Sequence, residues 1–156
     1  MPNTIPKKAL VALPDSAGRV KIVAPEEAWI SAFDRSFHFG DSLYEVTRSY
    51  NGILFSLDEH LHRLKRSAEM AMFDTLPDTH RLLKKTREAC RAFFQKFGNT
   101  DVYVRIVISS GIGDLNIDRA CASDPYYLVF VKAIELPSPQ SYDEGVHYAV
   151  VSRHRN

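Results

Sequence analysis

The sequence predicts an α+β domain in which a largely antiparallel sheet is covered by two helices. Three observations predict it. Asn51-Gly52 separates two strand-like runs, and both central residues of a type I′ hairpin turn need positive φ, which this pair tolerates. Two long stretches, 57–72 and the one opening near Pro77-Asp78, carry apolar residues at helical spacing. Residues 101–109 alternate strictly, so that Val102, Val104, Ile106 and Ile108 share one face and Tyr103, Arg105, Val107 and Ser109 the other.

The elements follow in order. ALVAL (9–13) and RVKIV (19–23) flank Asp15-Ser16-Ala17-Gly18 and read as a hairpin. Residues 25–34 are irregular, with at most a short turn. A strand over 43–50 returns through Asn51-Gly52 into 53–55. In the first of these runs Tyr44, Val46, Arg48 and Tyr50 fall on one face. Ser56-Leu57-Asp58-Glu59 has the form of a capping box, and Leu57, Leu61, Leu64, Ala68 and Met72 make the stripe of a helix over 57–72. Leu82, Thr86, Cys90, Phe93 and Phe97 make the second stripe, which Gly98 ends. A strand over 126–133 comes next, then ELPSPQSYDEG, rich in proline, serine and charge. Val146–Ser152 reads as one more strand with no partner of its own, the opening of another domain. The boundaries expected are a domain over 1–134, a linker over 135–145, and the start of a second, otherwise absent domain over 146–156.

Composition narrows the function. The chain has 156 residues, 45% hydrophobic and 25% charged, with a formal net charge of +1. That balance argues against nucleic acid or an anionic membrane as partner, while leaving room for a local basic pocket. No apolar run reaches the ~18–20 residues of a membrane span. The run ALVAL near the N-terminus is shorter than a signal-peptide core, so the expected location is cytoplasmic. Cys90 and Cys121 lack metal spacing, and Cys90 falls on a helical stripe as a buried thiol. His38, His60 and His62 have no companions at zinc-ligand spacing, so no metal is expected. SGIGDLNID (110–118) lacks the Lys-Ser/Thr of a phosphate loop.

Two strands thus each offer a phenol and a guanidinium on one face. Such a face is either open to water or the wall of a pocket for an anionic small molecule, where arginine grips a carboxylate through two parallel hydrogen bonds. His62, Arg63 and Arg66 lie off the apolar stripe of their helix, as solvated side chains usually do.

The stretch DRSFHFGDSLYEVTRSYNGILFSLDEHLHRLKRSAEMAMF (34–73) resembles the N-terminal region of the class IV pyridoxal-phosphate aminotransferases, and YVRIVISSGIGDLNID (103–118) resembles a second block of that family. The family includes branched-chain and D-amino-acid aminotransferases and aminodeoxychorismate lyase. The resemblance implies that the fold is their small N-terminal domain, and that Arg63 contacts the phosphate of pyridoxal 5′-phosphate. It implies that Tyr44 lines the substrate pocket with Val46 beside it. Tyr103 and Arg105 match a pair that contacts substrate carboxylates in branched-chain enzymes. Phe39 sits where those enzymes often carry a tyrosine that reaches into the neighbouring subunit's site. Phe39 lacks that hydroxyl, and Ser109-Ser110 stands where an arginine usually precedes the glycine; both departures blur the substrate.

The activity implied is amino transfer between an amino acid, branched-chain and L in the first instance, and a 2-oxo acid. A D-amino-acid aminotransferase or an aminodeoxychorismate-lyase-like enzyme is the alternative, and a non-catalytic fragment or binding module a second. The chemistry needs a lysine amine, which in the family follows an R-x-R-N-like stretch. SRHRN (152–156) matches that stretch, and none of the eight lysines here matches the motif. The lysine is therefore expected beyond Asn156, on the C-terminal half of the enzyme as a separate or missing polypeptide. The complete enzyme is expected to be a homodimer, and this chain inactive alone.

Overall fold

The computed structural model describes residues 6–15, 19–73 and 78–152. Strands β1 (Ala9–Pro14), β2 (Val20–Val23), β3 (Ser42–Tyr50), β4 (Ile53–Leu54), β5 (Val102–Ser109) and β6 (Tyr126–Ala133) form one sheet in the order β2-β1-β6-β5-β3-β4. Every neighbouring pair is antiparallel. Helices α2 (Leu57–Met70) and α3 (Thr79–Phe97) cover one face. Two five-residue helices, α1 (Arg35–Phe39) and α4 (Pro139–Asp143), complete the set with 3₁₀ turns at Pro25–Glu27 and Arg119–Cys121. The α+β reading holds.

Alternation builds the core. Val102, Val104, Ile106 and Ile108 are buried beneath the helices with Leu10, Ala12, Val129 and Val131, and the stripes of α2 and α3 close over them through Leu61, Leu64, Leu82 and Phe93. Cys90 is buried and unbridged, as its place on the stripe implied. The opposite face is divided. Near β1 and β6 a small cluster of Val11, Leu13 and Leu128 packs under Ala28 and Phe130. Toward β3 and β5 the face is open, and Tyr44 and Tyr50 are exposed there.

Local signals explain most boundaries. Asn51 and Gly52 take φ of 52° and 80°, so the hairpin is of the primed type, in register Ser49 to Leu54 and Tyr50 to Ile53. Asp78 caps α3 by accepting from the His80 amide at 3.1 Å.

Four expectations are corrected. Ser56 makes no side-chain cap: it sits in the left-handed region at φ 46°, which turns its hydroxyl away from the first helical amides, and only its carbonyl joins the helix by accepting from the His60 amide. The helix after it stops at Met70, not Met72. Phe73 donates to the Ala68 carbonyl and Met72 to Glu69, with Met72 at φ 55°, so the chain leaves through a Schellman turn and Met72 points to solvent. Helices α1 and α4 were not foreseen; Asp34 and Ser138 cap them. Residues 146–152 form no strand, because a strand is made by ladder hydrogen bonds and none of the described residues pairs with them.

Candidate functional site

Register brings four of the six expected site residues onto one surface. On the open face β3 and β5 align Arg48 with Tyr103, Val46 with Arg105 and Tyr44 with Val107. Strand β6 then aligns Lys132 with Tyr103 and Phe130 with Arg105. The result is a grid in which Tyr44, Val46, Tyr103 and Arg105 are neighbours. The Arg105 guanidinium carbon lies 3.9 Å from the Tyr44 ring centroid, a cation–π stack. Arg105 Nε is buried and has no hydrogen-bond partner. A guanidinium fixed on a ring and short of acceptors suits a planar carboxylate.

Arg63 lies on the other side of β3. Glu45 points toward the helices, opposite to Tyr44, and α2 meets it with two side chains one turn apart. Arg63 Nε donates to Glu45 Oε1 at 2.6 Å and Arg63 Nη2 to Glu45 Oε2 at 2.5 Å, while His60 Nδ1 lies 2.9 Å from the same Oε2. The bidentate Arg63 hydrogen bond, helped by His60, holds the Glu45 carboxyl below the usual carboxylate range against the opposing effect of burial. β4 pairs only with Ser49 and Tyr50, so among the described residues no strand borders the Ser42–Val46 part of β3 on the side away from β5. Arg63 and Tyr44 therefore flank one sheet edge from its two faces.

Phe39 is not brought to this surface. It ends α1, and its ring packs 4.5 Å from the Arg35 guanidinium carbon.

Sequence reasoning assigned no role to the groups that anchor α1. Asp34 is fully buried and accepts from the Ser36 amide at 2.8 Å, from Ser109 Oγ at 3.2 Å, and from the Ser36 and Tyr126 hydroxyls. Burial, reinforced by the Asp34 carboxylate, pushes the Tyr126 phenol pKa up. Arg35, 1% exposed, donates to Asp41 Oδ2 at 2.8 Å, to the Asn116 and Ile117 carbonyls and to Cys121 Sγ. Ser109 and Ser110, the departures from the family pattern, belong to this anchor: Ser110 Oγ donates to the Asp41 carbonyl at 3.2 Å. The spacing of Asp34 as helix cap and Gly40 in the left-handed region was the available signal.

The site fits a phosphate at Arg63. Nε and Nη2 are committed to Glu45, Nη1 has no partner among the described residues, and the side chain is 57% exposed. A clamped fork with one open nitrogen is a donor set for an anion arriving from solvent.

Comparison with known proteins gives the family. A family model for amino-transferase class IV matches residues 42–156. A Methanocaldococcus jannaschii protein provisionally named a branched-chain-amino-acid aminotransferase is 31% identical over 135 residues, 86% of this chain and 44% of its own length. A D-alanine aminotransferase of Bacillus licheniformis is 50% identical over 48 residues, 31% of this chain and 17% of its own. The structure of the Escherichia coli branched-chain amino acid aminotransferase shares the fold at a TM-score of 0.68 and 21% identity, over 86% of this chain and 43% of that one. The chain thus spans less than half the length of these relatives. The family match over residues 42–156, on the fold described above, shows that the chain belongs to the class IV aminotransferases.

Proposed function

We propose that this chain is the small domain of a pyridoxal-phosphate-dependent aminotransferase that moves an amino group between a branched-chain L-amino acid and a 2-oxo acid in the cytoplasm. Residues 1–134 form that domain, 135–145 the linker, and 146–156 open the large domain. The lysine lies on the C-terminal half. When bound, the cofactor supplies the electron sink that lets the amino group change carriers. The residues of this chain bind and orient. Arg63, held flat by Glu45, takes the cofactor phosphate through Nη1. Tyr44 and Val46 wall the substrate pocket, and Arg105 with Tyr103 takes a substrate carboxylate. Phe39 and the exposed apolar side chains Trp29, Phe33 and Phe37 face a second copy in a homodimer.

The observation that carries this reading is the Tyr44–Arg105 stack with its partnerless Nε on an open sheet face. Its test is Arg63→Ala in the complete enzyme. Losing a charged hydrogen bond costs about 1.5–3 kcal/mol, so cofactor affinity falls roughly ten- to a hundredfold. Borohydride reduction with pyridoxal phosphate and peptide mapping complete it: the label appears on a lysine outside residues 1–156, and a stoichiometric label on Lys132 refutes the proposed division of labour. The D-alanine aminotransferase match favours a second reading, a D-amino-acid enzyme. Preference for D-alanine over L-leucine and L-valine identifies it.

A further inference from the structure

His60 has no companion at metal-ligand spacing, and the fold gives it a different neighbour. It stands three residues before Arg63, so both side chains leave the same flank of α2, beside the buried stripe of Leu57, Leu61 and Leu64. Both reach Glu45 on β3. Among the described residues Glu45 has no other side-chain partner, and its register neighbour on β5 is the fully buried Ile106. An ionised carboxylate beside an apolar floor is stable only where donors are fixed against it.

The three groups differ in how firmly they are held. Side-chain exposure is 9% for Glu45, 17% for His60 and 57% for Arg63. An exposed arginine keeps its rotamer freedom unless something rigid orders it, and that ordering costs about as much as a surface ion pair returns. The rigid part here is the Glu45–His60 pair. A carboxylate turns easily about its last torsion, and a single guanidinium can turn with it. A second donor on Oε2, carried by another residue, stops that rotation.

One atom decides the arrangement. His60 Nδ1 lies 2.9 Å from Glu45 Oε2 and 3.2 Å from Arg63 Nη2. A guanidinium has no lone pair, so Nδ1 either donates to the carboxylate or accepts from the arginine. The Arg63 hydrogen bond holds the Glu45 carboxyl ionised against burial, His60 adds to it, and the contact to Oε2 is the shorter of the two. Nδ1 therefore carries the proton and donates to Oε2. The Nη1 side of the guanidinium stays open.

We propose that His60 is a positioning residue for the cofactor phosphate: by donating to Glu45 Oε2 it fixes the carboxylate that in turn fixes Arg63, leaving Nη1 for the anion. This rests on the aminotransferase reading of Arg63 and names the residue that makes its grip rigid. His60 acts on the phosphate only through Glu45 and Arg63.

The test is titration of the apo form of the complete enzyme with pyridoxal phosphate against pyridoxal, which lacks the phosphate. His60→Phe keeps a ring and deletes the donor, and His60→Gln carries its donor one bond farther out. In both, the dissociation constant of pyridoxal phosphate rises roughly three- to tenfold, the effect of one hydrogen bond lost beside the grip rather than in it, and that of pyridoxal does not move. His60→Asn, whose amide nitrogen lies as many bonds from the backbone as Nδ1, restores the affinity. In an Arg63→Ala background His60→Phe has no further effect, because its route to the phosphate is gone. Equal shifts for the two ligands, additive effects of the two substitutions, no recovery in His60→Asn, or no shift in either of the first two variants overturn the positioning role and leave the aminotransferase reading standing. Unchanged affinity for pyridoxal phosphate in Arg63→Ala overturns the reading of Arg63 and this proposal with it.

Discussion

Tyr126 and Tyr127 are consecutive, and their hydroxyls meet opposite fates, so removing each oxygen gives opposite results. Tyr126 donates to Asp34, whose carboxylate is sealed from water and also holds Ser36 and Ser109. Tyr126→Phe deletes one donor to a buried charge, a loss of about 1.5–3 kcal/mol. Tyr127 points into the core; its hydroxyl is buried, with Arg81 nearby but no hydrogen bond of ordinary geometry. Tyr127→Phe removes an unsatisfied polar atom and changes stability by less than about 0.5 kcal/mol, or raises it. Urea unfolding of the purified chain, followed by circular dichroism, separates the two. With a denaturant slope of about 2 kcal/mol/M, the Tyr126→Phe midpoint falls by about 1 M and that of Tyr127→Phe stays in place. Equal losses in both variants would refute the reasoning, because the cost would then belong to tyrosine hydroxyls in general and not to the Asp34 cluster.

Three further outcomes are expected. Glu45 is held below its ordinary pKa of 4.5 in the folded chain, so the unfolded chain binds more protons as pH falls through that region; its contribution is present above pH 4.5 and is lost in acid. Glu45→Gln therefore flattens the acid limb of the stability–pH curve, and an unchanged slope would contradict the clamp. Gly111 has φ 92°, and a Cβ there would meet the Ser123 carbonyl oxygen at 1.9 Å, so Gly111→Ala lowers stability by more than about 2 kcal/mol in the same unfolding assay. Burial pushes the Cys90 thiol up to about 12, so iodoacetamide at pH 8 leaves Cys90 unmodified until the chain is unfolded, as mass spectrometry of the digested peptides reports.

How much of this was legible in the sequence depends on how local each cause is. The sheet faces were legible, because alternation alone separates Val104 from Arg105, and so was the Asn51-Gly52 turn. The Tyr44, Tyr103 and Arg105 grouping needed only two strands in register. The end of α2 was misread because Met72 fits the apolar period while the backbone has already turned left-handed at that residue. Ser56 was misread for the same reason at the start of the helix. The Asp34 and Arg35 contacts were invisible because their partners lie far along the chain, at Ser109, Asn116, Cys121 and Tyr126. The partners of Glu45 were not legible, since only the packing of α2 against β3 shows that one carboxylate receives both His60 and Arg63.

Asp34 and Arg35 are adjacent, buried and oppositely charged, and they tie α1 to different places. Asp34 binds the end of β5 and the start of β6, while Arg35 binds the loop carbonyls at Asn116 and Ile117. The consequence is kinetic. The 110–121 loop cannot lift from the sheet while α1 stays, because one peptide unit joins both attachments. Opening must break the Asp34 and Arg35 sets together, so the amides donated by Arg35 to Gly111 and by Ile112 to Ser123 exchange with solvent as one cooperative unit, at a single opening free energy rather than a graded series. This corner of the domain is accordingly built as a two-state element, closed or wholly released.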